Sequence, residues 1–195
     1  DGKPAPAPAY PSVVDDFDSV NMRSVGKNAY GRLGDGSLND SLTPVLSGVK
    51  NAEVVAAGAN HSCALSDGDV YCWGQGAFGN TGVGASADHR YPVKAGSGFS
   101  SINAGIQHTC GLKGTEVWCW GYNYYGNMGN GTTGNASGIV KANLSQPAVA
   151  VSAGGNHTCA LAANGTVWCW GYGGNGQVRP GNTTATDTSK KPSTA

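Results

Sequence analysis

The sequence predicts an all-β fold, and more specifically a partial β-propeller of about three to four blades built from repeats of 47 to 50 residues. One observation is a hairpin-like unit that occurs three times, with Trp73, Trp120 and Trp170 at equivalent positions. Another is the composition, because 32 glycines in 195 residues and only 12% charged residues disfavour long helices. Several short strands and glycine-rich corners per repeat are typical of propeller blades.

Residues 1–23 form the first predicted region, a Pro-rich arm followed by an acidic turn. Alternating Ala and Pro in residues 4–9 favours an extended polyproline-II segment, either a linker or an arm that docks on a neighbouring subunit. The acidic cluster of Asp15, Asp16 and Asp18 lacks the alternating ligands and the glycine of a calcium loop, which favours a solvated turn.

Residues 24–181 form the predicted repeat domain, in which each hairpin carries a cysteine on both arms. Tight turns at Asp67-Gly68 and Gly114-Thr115 place the cysteines of the first two hairpins opposite each other. The third hairpin, around Asn164-Gly165, is one residue longer, and a three-residue loop with a bulge absorbs the extra residue. Facing positions on antiparallel strands lie within disulfide range. The predicted pairs are Cys63–Cys72, Cys110–Cys119 and Cys159–Cys169. The alternative is buried free thiols in a reducing compartment.

A longer motif surrounds each hairpin. It runs Trp-Gly-x-x-x-x-Gly-x-x-Gly-x-Gly, then Ala-Gly-x-x-His-(Ser/Thr)-x-Ala-Leu, then (Asp/Asn)-Gly-x-Val-(Tyr/Trp)-x-Trp-Gly, over roughly residues 24 to 181. This pattern resembles the regulator of chromosome condensation repeat family, and its cysteines resemble the extracellular form of the repeat. The resemblance implies a propeller of four-stranded blades, which in this family usually number seven.

The chain departs from that pattern at both ends of the repeat region. Ser24-Val25 replaces Cys-Trp in the first unit, and Arg179-Pro180 interrupts the glycine pattern of the last. Only about three periods separate Val25 from Trp170, fewer than a full ring needs. The chain is therefore either a fragment or an incomplete array whose open sheet edges are covered by association with another chain.

The repeated tryptophans and histidines are predicted to be structural. Trp73, Trp120 and Trp170 should pack between adjacent sheets, with a sugar-stacking platform as the alternative. The histidines each precede a cysteine by two residues, which raises the alternative of a zinc site. Since each unit supplies only three such ligands and structural zinc needs four, hydrogen-bonded core histidines are favoured. These residues are His61, His108 and His157.

Asn-x-Ser/Thr sequons are unexpectedly frequent, since eight of the 16 asparagines begin one. Those at Asn60, Asn156 and Asn164 fall inside the repeat motif. The others fall in loops or in the Ser/Thr-rich tail of residues 182–195, where glycosylation is possible. These candidates are Asn39, Asn130, Asn135, Asn143 and Asn182. Together with the predicted disulfides they indicate a secreted or cell-surface glycoprotein with covalent glycans.

Several functional classes are disfavoured by composition and motif. A formal net charge of zero without a basic patch argues against nucleic-acid binding. No apolar run approaches the roughly 20 residues of a membrane span. No nucleophile–base set stands out, since His89 has only Asp88 and Arg90 beside it. We therefore expect no enzyme activity, catalytic residue, metal or cofactor.

The leading functional hypothesis is a non-enzymatic extracellular structural repeat protein. It would be a self-associating subunit of a glycosylated fibre or surface layer, assembled through open sheet edges and the N-terminal arm. The alternative is an extracellular module that binds a protein or glycan through loops 85–91 and 132–140. Nucleotide exchange on a small GTPase, the best-known activity of the resembled family, is a remote alternative because only fold analogy supports it.

Overall fold

The computed structural model describes residues 23–84 and 86–178. The predicted Pro-rich arm, the acidic turn, Arg179-Pro180 and the tail with Asn182 lie outside these ranges. The described residues form antiparallel sheets joined by turns and loops, with one short 3₁₀ turn at Ala29–Gly31. No helix among them has the length and apolarity needed to cross a membrane. The predicted all-β class is confirmed.

Four sheets follow one another along the chain, and each is a meander in which sequential strands pair. The edge pair consists of β1 (Arg23–Gly26) and β2 (Ser41–Leu46). Blade 1 consists of β3 (Ala52–Ala57), β4 (His61–Ser66), β5 (Asp69–Gly74) and β6 (His89–Ser97). Blade 2 consists of β7 (Ser101–Ala104), β8 (His108–Lys113), β9 (Glu116–Gly121) and β10 (Ala136–Lys141). Blade 3 consists of β11 (Ala148–Ala153), β12 (His157–Ala162) and β13 (Val167–Gly171).

The turns of the three hairpins differ in backbone conformation. Asp67 and Gly68 both have positive φ, so the first turn is of the type that a two-residue Asp-Gly loop predicts. In the second turn only Gly114 has positive φ, as in a type II′ turn. The third hairpin has a three-residue loop between Ala162 and Thr166, closed by the Ala162 N–H donating to the Thr166 carbonyl at 2.8 Å. Within this loop Gly165 has positive φ and Asn164 does not, and the predicted three-residue loop is confirmed.

Each blade has two faces, because side chains alternate along a strand. We call the face that carries the histidine and the cysteines the leading face, since it points toward the next blade in the chain. The opposite face, which carries the tryptophan, is the trailing face. In blade 1, Cys63 and Cys72 are directly opposite each other on the leading face, and Val55 pairs with Ala64 on the trailing face.

The core lies between consecutive blades. Between blades 1 and 2, the leading-face residues Cys63, Leu65 and Val70 pack against Ile102 and Trp120 of the next blade. A similar cluster joins the leading face of blade 2 to Trp168 and Trp170 of blade 3. Stability therefore depends on stacking of neighbouring blades, as in other repeat architectures. Two complete blades, a three-stranded blade and an edge pair confirm a partial propeller.

Candidate functional site

The interface between consecutive blades contains a repeated histidine–threonine hydrogen bond. The His61 Nε2 atom lies 2.8 Å from Thr109 Oγ1, and His108 Nε2 lies 2.9 Å from Thr158 Oγ1. The Thr158 hydroxyl donates its single hydrogen to the Asn127 carbonyl at 2.8 Å. It must therefore accept from His108, which places the proton of this neutral imidazole on Nε2. Thr109 and Thr158, which follow His108 and His157 in the sequence, thus each bond to the histidine of the preceding blade.

Burial strongly disfavours protonation of the interface histidines. It lowers the pKa of His61 to about 4. Burial, with smaller repulsion from His61 and His157, lowers the pKa of His108 to about 3. The Nδ1 atoms of both rings are buried without a hydrogen-bond partner. Since a second proton on either ring would add an unpaired buried donor, these histidines serve the fold in their neutral form.

A glycine is required beside each histidine ring. A Cβ atom placed on Gly58 would lie 2.2 Å from the His61 ring, and one on Gly154 would lie equally close to the His157 ring. Such distances are far below any tolerable contact. The invariance of Ala-Gly-x-x-His within this chain therefore follows from packing of the imidazole onto the glycine backbone.

Each repeated tryptophan packs against a glycine of the preceding loop, and two of the three indoles also hydrogen-bond to that loop. Trp73, Trp120 and Trp170 are fully buried. The Trp170 Nε1–H donates to the Asn127 carbonyl at 2.8 Å, and Trp73 makes the equivalent bond to Arg32. The indole of Trp170 lies so close to Gly129 that a Cβ there would be 2.8 Å from Nε1. The tryptophans thus occupy the interfaces between blades, where their flat faces are not accessible to a sugar.

The cysteines form three cross-strand disulfides, Cys63–Cys72, Cys110–Cys119 and Cys159–Cys169. The first two are completely buried in blade interfaces, whereas the third is half-buried on blade 3. Their sulfurs are bonded to each other and do not offer thiolates to a metal. Among residues 23–84 and 86–178, no three His, Cys, Asp or Glu side chains converge as metal ligands.

The leading face of blade 3 is open, in contrast to the same face of the other two blades. Leu161 is 38% exposed, whereas its counterparts Leu65 and Leu112 are 1% and 5% exposed. Val167 is 48% exposed, while the valines at its position in blades 1 and 2 are buried. The described residues supply no further blade to cover this face. Blades 1 and 2 each pack their leading face against the next blade, whereas the leading face of blade 3 lacks such a partner among the described residues.

The trailing face of blade 1 is open at its innermost strand, β3. Val55 is 57% exposed, whereas Ile102, which occupies the same position relative to the Ala-Gly corner in blade 2, is 5% exposed. The edge pair and its loops cover the outer part of this face, where Trp73 is buried. The position of a preceding blade is therefore filled at the outer strands of blade 1 and open at its innermost strand.

A separate surface feature is a strip of aromatic rings at the glycine-rich corners of blades 1 to 3. The Phe78 and Tyr122 rings lie 5.4 Å apart, and Tyr125 connects Tyr122 at 6.2 Å to Tyr172 at 4.8 Å. Tyr124 stacks beside Tyr122 and is 65% exposed. Burial, with smaller contributions from Tyr125 and Tyr124, raises the pKa of Tyr122. We call these five residues the aromatic strip.

The sequon asparagines differ in accessibility. Asn39, Asn135 and Asn143 are exposed, and Asn130 is half-buried. Asn164 lies inside the repeat motif and is not one of the five candidates, but it is also exposed, at the tip of its hairpin. Asn60 is engaged in a corner, where its Oδ1 accepts from Arg32 at 2.9 Å and its Nδ2 lies 3.4 Å from Gln75. Exposure therefore favours glycan attachment at Asn39, Asn135 and Asn143 over attachment at Asn60.

Sequence reasoning missed three of these features. The histidine–threonine bonds had a signal, because Ser or Thr follows each repeated histidine. The aromatic strip had only a weak one, since its rings come from separate blades. The open faces required a comparison of burial between equivalent positions, and strand patterns within one blade do not contain that information.

Protein relatives match parts of the chain. The ultraviolet-B receptor UVR8 of Arabidopsis thaliana is 41% identical over 81 residues, which are 39% of this chain and 18% of the receptor. The human E3 ubiquitin-protein ligase HERC2 is 34% identical over 73 residues, 35% of this chain and 2% of the ligase. The chain therefore spans a small part of these relatives.

Solved structures match over nearly the whole chain at low identity. Prp20p of Saccharomyces cerevisiae superposes with a TM-score of 0.79 at 23% identity, covering 89% of this chain and 46% of the yeast protein. Human WBSCR16 superposes with a TM-score of 0.75 at 22% identity, covering 88% and 47%. The likeness shows the shared propeller fold, of which this chain spans slightly less than half.

Family models match the repeats directly. One model of the regulator of chromosome condensation (RCC1) repeat matches residues 54–80, 99–127 and 148–177. A second model of the same repeat matches residues 24–65 and 116–161. Their combined coverage includes every strand of the blades except β6. The sequence motif, the partial propeller and these matches agree that the chain belongs to the regulator of chromosome condensation repeat family.

Proposed function

We propose that the protein is a non-enzymatic extracellular repeat module that assembles with further copies of itself through its open blade faces, as a structural subunit of a glycosylated fibre or surface layer. The open leading face of blade 3 carries this proposal. It exposes Leu161 and Val167 at positions that are buried in the interfaces between described blades. Because an exposed apolar sheet face favours association, a second blade-bearing chain suits it better than solvent.

The disulfides and the sequons support the extracellular part of the proposal. All six cysteines are paired in short hairpins, an arrangement that persists in oxidising compartments. Sequon asparagines on the surface, such as Asn39 and Asn143, suit attachment of N-linked glycans in a secreted protein. Neither feature is needed for a nuclear exchange factor, which remains an analogy based on the fold.

Light scattering of the non-reduced, full-length protein over a dilution series tests the assembly. We expect a molar mass of two or more chains at micromolar concentration that falls on dilution. Intact mass before and after deglycosylation, on protein secreted from a eukaryotic host, tests the glycan part in the same preparation. A single-chain mass at every concentration would contradict assembly, and an unchanged mass after deglycosylation would contradict the glycoprotein part.

The aromatic strip favours a second candidate function, which is binding of a glycan. Phe78, Tyr122, Tyr125 and Tyr172 are in contact across three blades, and Tyr124 extends the strip into solvent. Aromatic faces at a surface stack on the apolar faces of sugars while tyrosine hydroxyls hydrogen-bond to water or ligand. The strip contains no charged side chain, so a neutral saccharide suits it better than an anionic ligand.

A glycan array tests this second candidate. We expect Tyr124→Ala to lower the affinity for a captured neutral glycan by about fivefold, because one stacking contact contributes about 1 kcal/mol. Tyr91→Ala is the matched control, because Tyr91 has the same 65% exposure and makes no ring contact with the strip. Equal loss of signal in both variants, or no captured glycan, would contradict a role of the strip in glycan binding.

A further inference from the structure

We propose that Asn164, at the tip of the hairpin between β12 and β13, is a site of N-linked glycosylation. Asn164, Gly165 and Thr166 have the order of a glycosylation sequon. They lie in and after the loop beyond the Leu161–Val167 pair, so glycan attachment and the proposed self-association use different residues. The inference rests on the proposed extracellular, glycosylated state of the protein, because it names one attachment site for that state.

The repeat itself does not require a threonine at the third position of this sequon. Counted back from the strand Val-x-Cys-Trp-Gly, the counterparts of Thr166 are Asp69 in blade 1 and Glu116 in blade 2. Each of these carboxylates forms an ion pair with a lysine on the fourth strand of its blade. Blade 3 has three strands among the described residues, so this ion pair has no counterpart there. Thr166 replaces the carboxylate, and the replacement completes the sequon.

The Asn164 side chain is available at the surface of the folded protein. Asn164 is exposed in the middle of the three-residue loop 163–165. Its Oδ1 atom accepts a hydrogen bond from the Thr166 N–H at 3.1 Å, inside the same turn. Its Nδ2 atom, to which an N-linked glycan is attached, has no hydrogen-bond partner among the described residues. A sugar on Nδ2 therefore displaces no contact with a distant part of the described chain.

Two other sequon asparagines differ from Asn164, because their side chains join separate segments of the fold. The Asn135 Oδ1 atom accepts from the Asn123 N–H at 2.9 Å and connects two ends of a loop. The Asn60 Oδ1 atom accepts from Arg32 at 2.9 Å and connects blade 1 to the loop before it. The bond made by Asn164 is confined to its own turn, so a glycan there leaves the contacts between segments intact.

The tip of the third hairpin also has open space beside it. At the first hairpin, the Gly68 carbonyl accepts from the Phe99 N–H at 3.0 Å, and at the second, the Thr115 carbonyl accepts from the Ala148 N–H at 2.8 Å. Each bond ties the turn to the segment that enters the next blade. Within residues 86–178, the Gly165 carbonyl has no such partner. The glycan is therefore attached where the path to a following blade is not occupied by the described chain.

Heavy-oxygen labelling of the full-length protein, secreted from a eukaryotic host, tests this site. Enzymatic release of N-linked glycans in heavy-oxygen water converts an occupied asparagine to a labelled aspartate. Cleavage after Leu161 and Trp168 yields a peptide in which Asn164 is the only asparagine. A digest in the same water without the glycan-releasing enzyme is the blank for spontaneous deamidation of the Asn-Gly pair. We expect label at Asn164 above this blank, and no label above it at Asn60.

Two substitutions at Thr166 provide matched variants. Thr166→Val has nearly the same shape but lacks the hydroxyl, so it removes the sequon while Asn164 stays in place. We expect this variant to lose the label at Asn164. Thr166→Ser retains the sequon and should retain the label. Label at Asn39 or Asn143 in both variants shows that they were exposed to the same glycosylation machinery.

The possible outcomes separate the inference from the proposed function. Label at Asn39 or Asn143 but not at Asn164 overturns this inference and leaves the glycoprotein part of the proposed function standing. Label that persists at Asn164 in Thr166→Val also overturns the inference. The absence of label from every sequon overturns both. The first and third of these outcomes need only the unaltered protein, so a variant that fails to fold does not remove the test.

Discussion

Reduction of the three disulfides is expected to lower the free energy of unfolding by about 8 kcal/mol, because each bond closes a short loop and contributes roughly 2.5 kcal/mol through the entropy of the unfolded chain. The bonded cysteines are nine, nine and ten positions apart. A loss of this size is comparable to the whole net stability of an ordinary domain, about 5 to 15 kcal/mol. The reduced protein should therefore be largely unfolded at 37 °C.

Urea unfolding followed by circular dichroism, with and without reductant, measures this loss. Partial reduction followed by thiol alkylation shows the order in which the three disulfides are reduced, and this order is an internal control. The half-buried Cys159–Cys169 bond should be labelled first, since the other two bonds are completely buried. An unfolding midpoint that reduction leaves unchanged would contradict a structural role for the disulfides.

Acid is expected to destabilise the protein between pH 6.5 and pH 4, before most carboxylates titrate. The folded-state pKa values of His61 and His108 lie at about 4 and about 3, below the ordinary value of 6.5. The unfolded state then binds protons that the folded state excludes, so the stabilisation is complete above pH 6.5 and is lost as the pH falls. At pH 4 the loss is about 3 kcal/mol for each histidine.

The variant His108→Gln separates this effect from other titrations. Glutamine keeps an N–H donor for Thr158 but has no basic nitrogen, so its stability should depend less on pH between 6.5 and 4.5 than that of the unaltered protein. Chemical denaturation at several pH values measures both slopes. Parallel slopes for the two proteins would mean that His108 does not exclude a proton from the fold.

Local pattern predicted the hairpins and their pairing because both depend on neighbours close in sequence. The turn at Asp67-Gly68 and the opposition of Cys63 and Cys72 follow from strand alternation and turn chemistry. The three-residue loop predicted for the longer Asn164-Gly165 hairpin is also present. An extra residue there allows a three-residue loop in which only Gly165 needs positive φ.

Contacts between blades were harder to predict, because they join residues about one repeat apart. The bond between His61 and Thr109 spans 48 positions, and the one between His108 and Thr158 spans 50. Repetition in the sequence revealed that these residues were structural, but their partners became clear only from the stacked sheets. The open faces were predictable as incomplete edges, whereas the exposure of Val55 and Leu161 required the fold.

The most direct test of the proposed self-association is cryo-electron microscopy of the full-length, non-reduced protein. We expect particles or filaments of several copies in which another copy covers the leading face of blade 3, with its exposed Leu161 and Val167. A monomer in which the leading face of blade 3 contacts solvent or its own chain would contradict it.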